Sequence, residues 1–162
     1  MSINLKVKKR WAIYSLGLGF AYAAFGTLGI LAGFSQTYGF NLVPPEVGTA
    51  LIYPDAFGGI MLMIIGVIFL FGVRPQWRGA GEGASFLVVG AFLSAVFFAV
   101  YIAIMLSHAI GFAAFNIAPA PYAEIMADWA EWTWMNDLRS CIWLFAFATP
   151  SLQLALRLWK AR

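Results

Sequence analysis

The sequence is poor in charged residues, which make up 10% of its 162 residues. An average soluble domain contains about a quarter. Hydrophobic residues reach 62%, so the chain can neither cover a soluble fold with polar side chains nor behave as a disordered segment. The composition therefore predicts an integral membrane protein whose partners are the lipid bilayer and other membrane subunits, with no nucleic acid partner.

Cysteine and histidine each occur once. The single Cys141 excludes an intrachain disulfide, and it excludes zinc–thiolate and iron–sulfur centres held by this chain, because these need several cysteines. The single His108 excludes a b-type haem held by two histidines of this chain. The sequence also contains no nucleophile elbow, Walker A, zinc-protease or dinucleotide-binding motif. We therefore expect no catalytic residues and no cofactor bound by this chain alone.

Four apolar segments approach the roughly 20 residues that a membrane-spanning helix needs. They cover about residues 11–34, 56–73, 84–110 and 140–159. The first run continues unbroken from Trp11 to Phe34, which favours a retained helix over a cleaved signal peptide. The sequence predicts an all-α polytopic protein that forms one four-helix transmembrane domain, residues 1–162.

Basic residues predict the topology, because cytoplasmic loops are enriched in Lys and Arg. Both termini and the loop between the second and third segments contain nearly all of them, and Arg139 alone falls on the other side. We therefore expect a protein of the plasma membrane with both termini in the cytoplasm. The residues that set this orientation are Lys6, Lys8, Lys9, Arg10, Arg74, Arg78, Arg157, Lys160 and Arg162.

The second outer loop, about residues 111–139, has an amphipathic pattern after Pro121. Apolar residues recur there at helical spacing with acids between them, which predicts an interfacial helix on the outer membrane surface. With no Gly or Pro between Tyr122 and Thr149, the helix could instead continue into the fourth span. The apolar positions are Tyr122, Ile125, Met126, Trp129 and Trp132.

Small residues indicate helix packing, since they let helix backbones approach closely in lipid. The third segment has such residues four apart, and the first segment has a glycine- and alanine-rich face. We interpret both as packing within one chain, with a face for a partner subunit as the alternative. The residues are Gly19, Ala23, Gly26, Gly29 and Gly33 on the first segment, and Ala91, Ala95, Ala99, Ala103 and Ser107 on the third.

Pro150 lies within the fourth segment and predicts a kink, because proline lacks the N–H that would bond the carbonyl of Ala146. Thr149, Ser151 and Gln153 stand beside it. We expect them to satisfy the freed carbonyl; the alternative is that they line a polar pocket.

Few residues are candidates for a ligand. His108 could bind a haem, chlorin or metal together with another chain, although a helix-end role is the simpler interpretation. A lipid headgroup or quinone could lie between Trp129 and Trp132, which otherwise belong to an interfacial aromatic belt. Asp55 is expected to cap the second helix. Arg139 is expected to pair with an acid of the second outer loop, which offers Glu124, Asp128, Glu131 and Asp137.

The segment from Asp55 to Leu62, DAFGGIML, is followed by Gly66, Gly72 and a turn with two arginines. These roughly 25 residues resemble the second-helix region of the DoxX/DoxD family of small four-helix membrane proteins. The resemblance implies a quinone-interacting oxidoreductase component. It transfers no functional residue to this chain, which has Asp55 where that family often has glutamate.

Three functional hypotheses follow. The preferred one is a non-catalytic accessory subunit of a larger membrane complex, such as a respiratory or other electron-transfer assembly. The second is the DoxX-like component. The third is a small channel or carrier for a neutral solute, because the first three spans lack the central ionisable residues that proton and ion carriers use.

Overall fold

The computed structural model describes residues 5–39, 54–117, 137 and 139–160. Within these residues the protein consists of four helices: α1 (Leu5–Tyr38), α2 (Ala56–Arg78), α3 (Glu82–Ile117) and α4 (Ser140–Lys160). The stretches of α1, α2 and α3 are long and apolar enough to cross a membrane, and α4 is apolar over the shorter Ser140–Leu154. The predicted all-α membrane fold is confirmed.

Helices α1 and α2 pack antiparallel through backbone contacts at glycines. A methyl group built on Gly26 would lie 2.6 Å from the amide nitrogen of Met63, and one built on Gly66 would lie 2.6 Å from that of Ala23. Since real Cβ atoms essentially never come so close, only glycine allows this separation. At the two ends of the interface, Gly33 approaches the backbone of Ala56 and Gly19 approaches the side chain of Leu70.

Helices α3 and α4 complete an antiparallel bundle. Phe69 of α2 lies against Gly90 of α3, and Phe98 of α3 stacks on Phe145 of α4 with ring centroids 4.6 Å apart. Helix α4 returns to α1 at Phe25, whose ring meets Trp143 edge-on at 4.6 Å. The buried core unites all four helices and includes Leu18, Tyr22, Leu62, Ile65, Phe69, Leu87, Tyr101 and Leu144.

The helices begin and end where the local sequence provides caps. Asp55 accepts a hydrogen bond from the backbone N–H of Gly58 at 2.9 Å and so caps the start of α2, as predicted. Gly79 ends α2 in the left-handed conformation, with φ at 75°, which glycine adopts without steric cost. The two-residue connection Ala80–Gly81 then leads into α3.

The helices extend beyond the predicted spans. Helix α3 has 36 residues, about 54 Å at 1.5 Å per residue, against a hydrocarbon core of about 30 Å. The apolar run therefore predicts the membrane-crossing part of α3 but not its ends. The predicted interfacial helix and its Trp129 and Trp132 lie outside the described residues.

The antiparallel order places the helix ends in two groups. We call the group containing Lys9, Arg10, Arg74 and Arg78 the basic end. The opposite end contains the start of α2, the start of α4 and the half of α3 that includes Tyr101 and His108.

Candidate functional site

A polar cluster closes the opposite end of the bundle. The second carboxylate oxygen of Asp55 accepts hydrogen bonds from the Tyr101 hydroxyl at 2.5 Å and from Nη1 of Arg139 at 2.7 Å. The guanidinium carbon of Arg139 also lies 5.0 Å from the centroid of the Tyr101 ring, which is cation–π distance. Three helices are joined here, because Asp55 precedes α2, Tyr101 belongs to α3 and Arg139 precedes α4. We call these three residues the outer cluster.

The Asp55 carboxylate is held in its charged form. Burial alone would raise its pKa, but the Gly58 N–H, the Tyr101 hydroxyl and the Arg139 guanidinium together lower the pKa below its usual range. The side chains of Arg139 and Asp55 are only 14% and 21% exposed. This ion pair is therefore partly shielded from the solvent screening that weakens surface pairs.

A second polar contact lies near the outer cluster. His108 Nδ1 is 2.8 Å from the Asp137 carboxylate, and this contact fastens the outer half of α3 to the residues that lead into α4. The lone histidine thus has a protein partner at one ring nitrogen. The described residues contain no group of three or more His, Cys, Asp or Glu side chains suited to a metal ion.

A small cavity of about 20 Å³ adjoins the outer cluster. Its walls are Phe25 and Gly29 of α1, Leu62 of α2, and Ser140 and Cys141 of α4, besides the outer cluster. Such a volume holds about one water molecule. Its walls are mainly apolar, and the polar side chains that border it are those of the outer cluster and Ser140.

Other buried polar groups also join helices. Ser15 donates to the Gln76 side chain, and Gln76 donates in turn to the Gly83 carbonyl, each at 2.9 Å. The hydroxyls of Tyr22 and Ser94 are hydrogen-bonded in the middle of the bundle. These contacts link α1, α2 and α3 at two further levels.

The contacts around Pro150 use hydroxyl groups. Thr149 donates to the Ala146 carbonyl at 2.7 Å, the carbonyl that proline deprives of its usual partner, as expected. Tyr14 of α1 donates to the neighbouring Phe147 carbonyl at 2.5 Å, and Ser151 lies 3.4 Å from the Tyr14 hydroxyl.

The small residues predicted to pack helices lie in two different environments, one on α1 and the other on α3. The first-helix set lies mainly at the α1–α2 contact described above, where Gly29 also approaches Gly59. On α3, Ala91 is buried and Ala95 half-buried, but Ala99, Ala103 and Ser107 are exposed. The α3 stripe thus leaves the core halfway along the helix, and its outer half faces away from the other three described helices.

Sequence reasoning missed the central members of the site. Arg139 was expected to pair with acids of the second outer loop, but it bonds to Asp55, to which only capping was assigned. Tyr101, Tyr22 and Gln76 were not singled out. A signal was available for the two tyrosines, because a tyrosine inside an apolar span requires a hydrogen-bond partner.

Residues 6–161 match the family described as the MJ0565 integral membrane domain. Because the match covers nearly the whole chain, this protein belongs to that family and is an integral membrane protein. It is 27% identical over 124 residues to the uncharacterized protein MJ0565 of Methanocaldococcus jannaschii. The aligned part covers 76% of this chain and 74% of that protein. No solved structure matches the chain.

Proposed function

We propose that the protein is a non-catalytic accessory subunit of a larger integral membrane complex, and that a respiratory or other electron-transfer assembly is the kind of complex to test first. The observation that carries the proposal is the use of its buried polar side chains. Asp55, Tyr101 and Arg139 bond to one another, as do Tyr22 and Ser94. These groups hold helices together, which is the task of a structural subunit.

The exposed half of the α3 stripe supports a protein partner. Ala99, Ala103 and Ser107 are exposed and lie four residues apart on one face, where a neighbouring helix could approach closely. The same chain already uses small residues in this way between α1 and α2, at Gly26 and Gly59. We therefore place the partner contact on this half of α3.

The orientation forms part of the proposal. Lys9, Arg10, Arg74 and Arg78 all lie at the basic end, which we place in the cytoplasm of a plasma membrane on the basis of the positive-inside rule. A reporter fused after Arg162 tests this placement. Green fluorescent protein should fluoresce there and alkaline phosphatase should be inactive; the reverse result would contradict the orientation.

The main experiment is purification of the tagged native protein in a gentle detergent, followed by native mass spectrometry and an absorption spectrum. We expect larger subunits in fixed stoichiometry, and an electron-transfer complex would add the absorption of haem or flavin. Recovery of a monomer or a small homo-oligomer alone would refute the accessory role and direct attention to solute flux in liposomes.

Two matched variants locate the contact. Ala103→Leu enlarges the α3 stripe, whereas Ala24→Leu makes the same substitution at an exposed position of α1. The added side chain at position 103 should prevent close helix approach and reduce partner recovery by about tenfold, which corresponds to about 1.4 kcal/mol. The position 24 variant should recover the partner normally. Equal recovery with both would place the contact elsewhere.

A further inference from the structure

The two ends of the bundle differ in how their charges are neutralised. At the opposite end Arg139 forms an ion pair with Asp55, and Asp137 is hydrogen-bonded to His108. At the basic end Lys9, Arg10, Arg74 and Arg78 are exposed, and none of them forms an ion pair with a described residue. Glu82 at the start of α3 is the one acid at this end among the described residues, so the basic end keeps a net positive charge.

One of these cations lies against an aromatic ring, and two others are close to the same residue along α2. The Lys9 amino group lies 5.7 Å from the centroid of the Trp77 ring, which brings the start of α1 to the end of α2. Arg74 and Arg78 lie one turn apart on α2, at a spacing that places their Cβ atoms about 5–6 Å apart. Trp77 itself is 51% exposed, so the group is open to its surroundings.

Apolar stripes continue from these cations toward the membrane interior. On α2, Phe71 and Val67 precede Arg74 at helical spacing, and Phe71 is 66% exposed. On α1, the positions in register with Lys9 are Ile13, Leu16 and Phe20, all exposed. Each helix therefore presents a cation at the membrane boundary and an apolar surface beneath it.

We propose that Lys9, Arg74 and Arg78 bind the headgroup of an anionic phospholipid beside the Trp77 ring, with its acyl chains lying along the apolar stripes of α1 and α2. A phospholipid fits both parts of the surface, because its phosphate lies at the membrane boundary, where the cations are, and its acyl chains extend from there along the apolar stripes. A soluble anion would leave the apolar stripes unused. The proposal is independent of the accessory role.

The expected affinity follows from the number of cations. A Lys or Arg near an anionic membrane surface contributes about 1 kcal/mol, or about fivefold in binding. Lys9→Gln, Arg74→Gln and Arg78→Gln should therefore each weaken binding about fivefold, and the triple variant roughly a hundredfold.

The test compares phosphatidylglycerol with phosphatidylcholine, added at equal concentrations to the purified full-length protein and counted by native mass spectrometry. The wild-type protein should retain phosphatidylglycerol at least about tenfold better, as expected from two or more charged contacts. The absence of any preference would overturn the proposal.

Arg10→Gln is the matched control. It removes one charge at the same end, from the residue after Lys9 and so about 100° around α1. We expect Arg10→Gln to weaken phosphatidylglycerol binding less than twofold. If it weakened binding as much as Arg74→Gln does, the lipid would be attracted by the general surface charge and the defined site would be refuted. Lipid binding is measured for each single variant separately, together with its unfolding midpoint in lipid-free detergent, which shows whether the variant is folded. The test therefore does not depend on the triple variant folding.

Discussion

Substitution of Gly26 by alanine should separate helices α1 and α2. The added methyl group would lie 2.6 Å from the Met63 nitrogen and 2.7 Å from the Gly59 carbonyl oxygen, whereas ordinary contact begins at 3.4 Å. Both neighbours are backbone atoms, so a side-chain rotation cannot relieve the clash. The helices must move apart by about 0.8 Å, and a gap of that size costs each contacting atom pair a quarter to a half of its dispersion energy.

The net cost follows from two opposing terms. Overpacking a close contact costs about 1–3 kcal/mol, and backbone neighbours favour the upper half of that range. Alanine gains about 1 kcal/mol over glycine in a helix interior. We therefore expect Gly26→Ala to lower the free energy of unfolding by about 1–2 kcal/mol.

Gly17 provides the matched control, because a methyl group at that position meets nothing within 4 Å. Unfolding by SDS in mixed micelles should find Gly17→Ala more stable than the natural protein by up to about 1 kcal/mol. Gly59→Ala should cost as much as Gly26→Ala, and the double variant less than the sum, since one separation of the helices accommodates both methyl groups. Equal stability of the position 17 and 26 variants would refute the proposed close packing.

Two further predictions concern the polar groups. Asp55→Asn should lower the free energy of unfolding by about 2–3 kcal/mol at neutral pH, because it leaves a partly buried Arg139 without its counter-charge. The pKa of Asp55 is lowered from its ordinary 3.8, so its contribution to stability is complete above pH 3.8 and disappears as the pH falls through the lowered value. Acid titration should therefore bring the stabilities of the natural protein and the Asp55→Asn variant together. A difference in stability that did not change with pH would contradict the prediction. Thr149→Val should lower the free energy of unfolding by about 1 kcal/mol in the natural chain. In a Pro150→Ala background it should cost almost nothing, because the restored backbone N–H at position 150 bonds to the Ala146 carbonyl. A double-mutant cycle that showed no coupling between the two positions would refute this.

The sequence predicts the helices because lipid imposes a simple rule on them. A helix satisfies all of its backbone groups internally, so an apolar run of sufficient length is enough to locate it. The cap at Asp55 and the hydroxyl contact at Thr149 were also predictable, since both involve residues within four positions along the chain.

The assembly of the outer cluster was not predictable in the same way. Its hydrogen bonds connect residues 46 and 84 positions apart, and the sequence does not say which helix faces which. Several acids were available to Arg139, and charge alone cannot choose among them. The antiparallel packing of α2 against α3 and of α3 against α4 makes the choice, because it brings Asp55 and Tyr101 to the start of α4.

The bundle is held together differently on its two sides. Helices α1 and α2 touch through their backbones at Gly26 and Gly59, and this contact leaves little room for independent movement. Helix α4 is attached through side chains, by Arg139 to Asp55 at one end and near Pro150 by the Tyr14 hydroxyl. Helix α4 also buries Leu144 and Ala148 in the common core, so it is fixed by apolar packing as well as by these bonds, whereas α1 and α2 are fixed by the close fit of their backbones.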